Sequence, residues 1–513
     1  MALALAGVAM TSSPAEAGGG DQRAETVAAI DAQARNIQVM VDQIFSFAEP
    51  GFQEFRTSDL LQQRLAENGF EIKKGVAGIP TAFIATWGKG GPLIALGSDI
   101  DALTDMSQRP GVSTVSPMVA GAPGHGEGHN SGMPLIVAAA IAVKRVMERH
   151  HIPGRLLIWP GVAEELLGSK AYYVQAGVFK DVDACIFVHV SDRFTTNYGD
   201  IGTTAAVSVE YKFSGKSAHA ALSPWEGRSA LDAVEIMDTA WNFRREHLPL
   251  TQRSHHVITD GGGQPNIVPA HASVWYYFRD RTSAGVRALY DTGNTIAEAA
   301  ALATGTTVKH TVLGYAAKYF GNRPLAEAAF ANIRRVGIPR WSSNDQDFAR
   351  AVQRANGRPV DGLRTTVTPL APPDPTQVNG GSDDIGNIMW TVPTITLFYP
   401  ANIPNLISHN QQSAMAMATP IAHKGVAVGA KAVALTVLDA MTSPTLLTAA
   451  RAYFENVQRK TDHYDPILQK PAIWLNANLM SQIRPQMEQF YYQPSRFPTY
   501  LDQLGIRYQS PRN

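Results

Sequence analysis

The chain has 513 residues, 45% hydrophobic and 17% charged, with 44 Lys and Arg against 44 Asp and Glu. That length exceeds one core and predicts two to four domains at about 150 residues each. The balanced charge leaves no net field to draw nucleic acid or an anionic membrane, and a single cysteine, Cys185, excludes an intrachain disulfide framework.

The chain opens with MALALAGVAM and reaches Ala15-Glu16-Ala17, a small-residue site of the kind that ends a secretory leader, although no charged segment precedes the apolar run. Residues 1–24 are therefore expected to be a signal-like or disordered N-terminus. The protein is expected to be periplasmic or secreted, otherwise cytoplasmic. No other run approaches the ~18 apolar residues needed to span a bilayer, so no membrane partner is expected.

From residue 25, AETVAAIDAQARNIQVMVDQIFSFAE and SDLLQQRLAENGF carry helical periodicity, and AFIATW and PLIALGSD read as strands. Helix and strand then alternate through PLIVAAAIAVKRVMERH, GRLLIWP, LLGSKAYYVQAG and DACIFVHV, where Cys185 reads as a packed strand residue. This is the rhythm of an α/β fold: a mostly parallel sheet with helices on both faces. Ligands in such sheets sit at the carboxyl ends of strands. Asp99 and Asp101 follow PLIALGS, Glu164 and Glu165 follow GRLLIWP, and His189 closes IFVHV, so three strands end in carboxylate or imidazole. GHGEGHN, residues 124–130, adds two histidines and a glutamate on a glycine-rich loop. Glycines let neighbouring side chains converge, and His with Glu suits a divalent cation, whereas the loop alone reads more simply as a solvated turn.

Between 204 and 319 the texture changes to alternating strands such as AVSVEYKFSG and ASVWYYFRD with interleaved helices, which predicts a smaller α+β domain inserted into the first. The α/β pattern returns with TVPTITLFYP and a long helix near 413–441. The expected organisation is a catalytic domain over 25–203 and 320–442, a lid or dimerisation domain over 204–319, and a C-terminal helical extension over 443–513 that holds no recognisable site.

GSDIDALTD, GHGEGHN, AEEL after a strand, FVHV, SGKSAHAALSPWEGRSALDAVEIM, PNIVP, GGSDDIGNIMWTVPT and a late ISHN occur in an order that resembles the M20 family of metallopeptidases and amidohydrolases. The resemblance covers about residues 25–442 and is greatest to the branch of aminobenzoyl-glutamate hydrolase subunits and indole-acetyl-amino-acid hydrolases. It implies two divalent metal ions, zinc first with manganese or cobalt as alternatives, held by Glu127, His129, Glu165, His189 and His409. It also implies Glu164 as general base, Asp101 as support of the metal cluster, and Asp99 and His125 as neighbouring structural groups. His219, in KSAHAALSP, matches a lid histidine that steadies the oxyanion, often across a dimer. Asn266 and Arg279 match lid residues near the substrate; read alone, they are as readily a turn-capping amide and a surface ion pair. Ser382 to Asp384 are expected as supporting groups near the site. The sequence departs from the branch at Glu127, where cysteine is usual. A carboxylate is a harder donor than a thiolate but keeps an anionic ligand able to bridge two cations. The implied activity is hydrolysis of the amide bond of an N-acyl amino acid, the acyl group aromatic in some relatives, by a homodimer or higher homo-oligomer acting on a small molecule. The alternatives are a dipeptidase or aminopeptidase of the same fold, or a non-catalytic metal-binding homologue.

Overall fold

Eleven strands among the described residues carry the architecture: β1 (Glu71–Lys74), β2 (Phe83–Lys89), β3 (Leu93–Asp99), β4 (Gly154–Gly161), β5 (Ala184–Ser191), β6 (Thr195–Thr196), β7 (Ala205–Ser214), β8 (Arg253–Asp260), β9 (His271–Asp280), β10 (Thr307–Ala316) and β11 (Thr394–Pro400). The computed structural model describes residues 14–508 apart from 375 and 378, with side chains from residue 21. The apolar leader-like run, residues 1–13, lies outside the described residues.

The larger sheet has the order β1-β2-β4-β3-β5-β11-β6. Its centre, β4-β3-β5-β11, is parallel, and both flanks are antiparallel. Parallel strands are buried on both faces and read as near-continuous apolar runs, as ACIFVHV and PLIALGS do. Alternation then sends successive side chains to opposite layers. On one face, Trp159 stacks on Phe187 with ring centroids 5.8 Å apart and packs against Phe179 and Tyr173. Gly97, opposite Trp159 in the ladder, is required there, because a Cβ would lie 2.2 Å from the indole ring. On the other face, Ser98 and Tyr399 meet Gly132 at the start of helix Gly132–Arg149. That helix packs with helix Pro420–Thr442 over β3 and β11. Contrary to expectation, both are long and apolar enough to cross a membrane, yet both lie mostly buried inside the fold.

The smaller sheet, order β10-β7-β9-β8, is antiparallel throughout. Helices Ala230–Arg245 and Ser283–Thr304 cover one face around Trp241, Tyr211, Tyr276 and Phe278. The opposite face carries Ser208, Tyr277 and Arg279 and is turned toward the larger sheet, where Tyr277 Oη donates to the Glu165 carbonyl at 3.3 Å.

Residues 443–508 form a strap. Asp465 pairs with Arg287 at 2.8 Å and Gln469 accepts from the Val312 amide at 3.2 Å, both on the smaller domain. The chain then returns to the larger one, where Arg484 pairs with buried Glu49, and Tyr500, fully buried, donates its amide to Asp42.

Candidate active site

The carboxyl ends of β3, β4, β5 and β11 point to one edge, and the turns leaving them carry the polar residues. Glu164 and Glu165 sit on a single 3-10 turn after β4, flanked by Ala163 (φ +51°) and Leu167 (φ +56°). His409, after β11, has φ +54°. Non-glycine residues in the left-handed region cost about 1–2 kcal/mol each and are retained where the surroundings fix them, a pattern concentrated at functional sites.

Glu127 is the hub. Its Oε2 lies 3.1 Å from His409 Nε2 and 3.8 Å from His129 Nε2, and its Oε1 lies 3.8 Å from His189 Nε2. Glu165 Oε2 is 3.4 Å from the same His409 nitrogen. Behind them Asp101 ties two residues together: Oδ1 is 3.3 Å from His129 Nδ1, and Oδ2 accepts from the Glu165 amide at 3.1 Å. His189 Nδ1 donates to the Val190 carbonyl at 2.9 Å, which leaves Nε2 to face the cluster. All five residues expected as ligands therefore converge.

The donor set fits divalent cations. Glu127, His129 and Glu165 each offer an atom within 4.8 Å of the others, and so do Asp99, His129 and His189. The buried His129 Nε2 has no hydrogen-bond partner, and both inner histidines have the remote nitrogen engaged by a carboxylate or carbonyl, as ligating histidines do. The electrostatics agree. Burial pushes Glu127 upward, but the His409 hydrogen bond and the His189 and His129 imidazoles outweigh it and hold the carboxyl well below its usual range. Burial, then repulsion from Glu127, lifts Glu165 to about 8. The hydrogen bond to Glu127 raises His409 to about 8. The cluster thus attracts positive charge. Replacing Asp101 by Asn keeps the shape but removes the anionic acceptor behind His129. Metal affinity should fall about 10–100-fold in a competition titration with a chelating dye, and an unchanged affinity would remove Asp101 from the site's support.

Glu164 stands apart from the five. Its carboxylate, with those of Asp383 and Asp384, lies in a group spanning 4.8 Å. Burial, then Asp383 and Asp99, push it well above the usual carboxylate range. It lines a cavity of about 610 Å³ together with Glu127, Glu165, His189 and His409. A larger cleft, about 690 Å³, lies at the amino ends of β3 and β4 beside Leu93, Gly154 and Arg155 and holds none of these groups, so chemistry and not size selects the site.

Arg279 lines the 610 Å³ cavity and donates from Nη1 to Ser382 Oγ at 2.6 Å. His219 and Asn266 are not brought there by this chain. His219 is exposed on a turn of the smaller domain, its Nδ1 accepting from the amides of Ala221 and Leu222, and Asn266 lies beside it. His125 is structural: its Nε2 is 3.1 Å from the Ile44 carbonyl, and burial lowers it to about 3.

Lys170 is a residue of the site that the sequence did not single out. It is fully buried six residues after Glu164, with Nζ 2.5 Å from Asp99 Oδ1, in contact with Asp384 Oδ1, and 3.8 Å from Asp383. Its one local signal is a lysine set among Ala171, Tyr172 and Tyr173 at the start of a buried helix.

Imidazoles and carboxylates gathered beneath a second domain, with one glutamate left outside the ligand set, equip a metal-dependent hydrolase of amide bonds. Residues 201–304 match the family of the peptidase dimerisation domain. The chain is 34% identical over 469 residues to one of the p-aminobenzoyl-glutamate hydrolase subunits of Escherichia coli (strain K12), covering 86% of this chain and 96% of that one. It is 28% identical over 446 residues to the Xaa-Arg dipeptidase of Mus musculus, covering 83% and 90%. It shares its fold, at TM-score 0.50 and 17% identity, with a solved dinuclear metal-binding peptidase of the M20 family from Bacillus subtilis, covering 80% of this chain and 99% of that one. The chain belongs to the M20 family of metallopeptidases and amidohydrolases.

Proposed function

We propose that this chain is a dinuclear metal-dependent amidohydrolase that cleaves the amide of an N-acyl amino acid, with an aromatic acyl group among its substrates. The observation that carries this reading is the division between five converging ligand residues and Glu164, which shares their cavity without joining them. A bound pair of cations supplies the Lewis acidity that polarises the amide carbonyl and acidifies a water. Glu164 takes the proton of the attacking water on its carboxylate and delivers it to the departing amide nitrogen. Glu127, with one oxygen toward His189 and the other toward His409, would hold the cations together with His129, Glu165, His189 and His409, and zinc is the first candidate. Arg279 forks to the substrate carboxylate. His219, remote from this chain's own cavity, supports a homodimer in which each copy lends this imidazole to the other's oxyanion. The leader-like residues before Ala17 support export to the periplasm.

The test is elemental analysis of the purified protein followed by a panel of acyl amino acids and dipeptides with zinc, manganese and cobalt. Two metal equivalents per chain and release of p-aminobenzoate from p-aminobenzoyl-glutamate are expected. Turnover confined to dipeptides would move the function to that of the Xaa-Arg dipeptidase relatives, and metal binding without any turnover would leave a binding protein.

A further inference from the structure

Glu54 is a fully buried carboxylate that the proposed chemistry leaves unused. Among the described residues no cation pairs with it, and its oxygens accept from neutral donors, Oε1 from the Ala163 amide and Oε2 from Thr81 Oγ1, each at 2.9 Å. Burial, then Asp101, push the carboxyl well above its usual range, so it serves as an acceptor more than as a charge. Ala163 is the residue before Glu164 and holds φ +51°, a left-handed conformation that an alanine keeps where its surroundings fix it. One short segment does the fixing. A Cβ on Gly51 would stand 2.9 Å from Ala163 Cβ, and a Cβ on Gly168 would stand 2.8 Å from the ring of Phe52, itself at φ +66°. The C-terminal strap holds that segment in turn. Asn476 Nδ2 donates to the Gly51 carbonyl at 3.0 Å, and Gln53 Nε2 to the Leu475 carbonyl and Arg484 Nη2 to the Gln53 carbonyl at 3.1 Å.

We infer that Glu54 is a positioning residue of the hydrolysis: it fixes the Ala163 peptide, and thereby the place of Glu164 in the cavity, with the C-terminal strap as its outer brace. The inference rests on the proposed reaction and adds the residue that aims its general base. The two glutamates of the turn are held by different partners. Glu165 has Asp101 on its amide and Tyr277 on its carbonyl, whereas Glu164 follows directly on the peptide that Glu54 holds. Loss of the Glu54 acceptor leaves a buried amide without a partner, which the turn relieves by rotating at Ala163. That rotation moves Glu164 first. A displacement of about 1 Å at a reacting group costs on the order of 10²-fold in rate, while Glu165 stays with the ligand cluster.

The experiment measures kcat, KM and metal content of the metal-loaded protein and of Glu54→Leu, Glu54→Gln and Gly51→Ala, on the fastest substrate of the panel above. Glu54→Leu removes the acceptor at nearly constant size and should lower kcat about 10–100-fold, with KM and metal content unchanged. Glutamine keeps a carbonyl oxygen for the Ala163 amide, so Glu54→Gln should retain most of the original kcat. Gly51→Ala leaves the carboxylate in place but pushes on Ala163, and the same fall in kcat with metal retained is expected, which decides the matter even where Glu54→Leu does not fold. Hydrogen exchange reads the contact without turnover: the Ala163 amide should exchange faster in Glu54→Leu and at its original rate in Glu54→Gln. Lower thermal stability with kcat unmoved, metal lost in step with kcat, or equal losses of kcat in Glu54→Leu and Glu54→Gln would each overturn the inference and leave Glu54 a part of the scaffold. Full activity of Glu164→Gln would instead remove the proposed reaction itself, so the two failures are told apart.

Discussion

Glu164→Gln is expected to lower turnover by about 10²–10⁴-fold while the protein keeps its full metal content. The two halves of this result separate the adjacent glutamates. Glu165 belongs to the cluster with Glu127 and His129, whereas Glu164 groups with Asp383 and Asp384 on the other side of the turn. Glutamine keeps the size and one carbonyl oxygen of the carboxylate but cannot hold and release the proton. If the group works only as a proton carrier, kcat falls and metal stays. Elemental analysis beside steady-state kinetics checks both. Undiminished turnover would take Glu164 out of the chemistry, and loss of metal along with turnover would make it a ligand.

Lys170→Met should destabilise the fold by about 3–5 kcal/mol, because it leaves Asp99 and Asp384 buried without their counter-charge. That is a large share of the roughly 5–15 kcal/mol by which a domain is stable. Methionine fills much of the same volume, so the loss is electrostatic more than packing. The pH dependence has a definite sign. Burial lifts Asp384 to about 6 even with Lys170 lowering it, and removing the ammonium lifts it further. A carboxylate whose folded pKa exceeds its unfolded value binds more protons when folded, so the deficit is complete only above the variant's raised Asp384 pKa and narrows as pH falls from there toward about 6. Urea unfolding from pH 5 to 8 measures it. Adding Asp99→Asn and Asp384→Asn should recover most of the loss, and a variant as stable as the unaltered protein would show that the cage contributes nothing.

The part of the site legible in the sequence was the part built from strand ends. A parallel sheet aligns the carboxyl ends of its strands, so Asp101, Glu165 and His189 could be placed together from apolar runs alone, with GHGEGHN adding Glu127 and His129, whereas His409 came only from the family resemblance. Lys170 and the opposition of Arg253 to Arg279 were not legible. Their roles depend on which residue lies opposite which across separate elements, and no local periodicity encodes that Arg253 faces Arg279. The antiparallel flanks of the large sheet were equally silent, because EIKK and the two-residue β6 carry too little pattern. Tyr500 is fully buried for a related reason: its pocket is made by Phe45 and Asp42, far earlier in the chain.

The position of β11 sets an order of assembly. It lies between β5 and β6, and Thr196 Oγ1 donates to the carbonyl of Thr396, 200 residues downstream. At about 5–20 residues per second on the ribosome, that gap corresponds to roughly 10–40 s in which β5 has emerged with one edge bare. Meanwhile β7 to β10 leave the exit tunnel as a contiguous stretch able to close among themselves. The inserted unit can therefore be finished before its host, and the nascent chain carries an unpaired apolar edge, the surface most prone to pairing with a neighbour, until Thr394–Pro400 emerges as its strand.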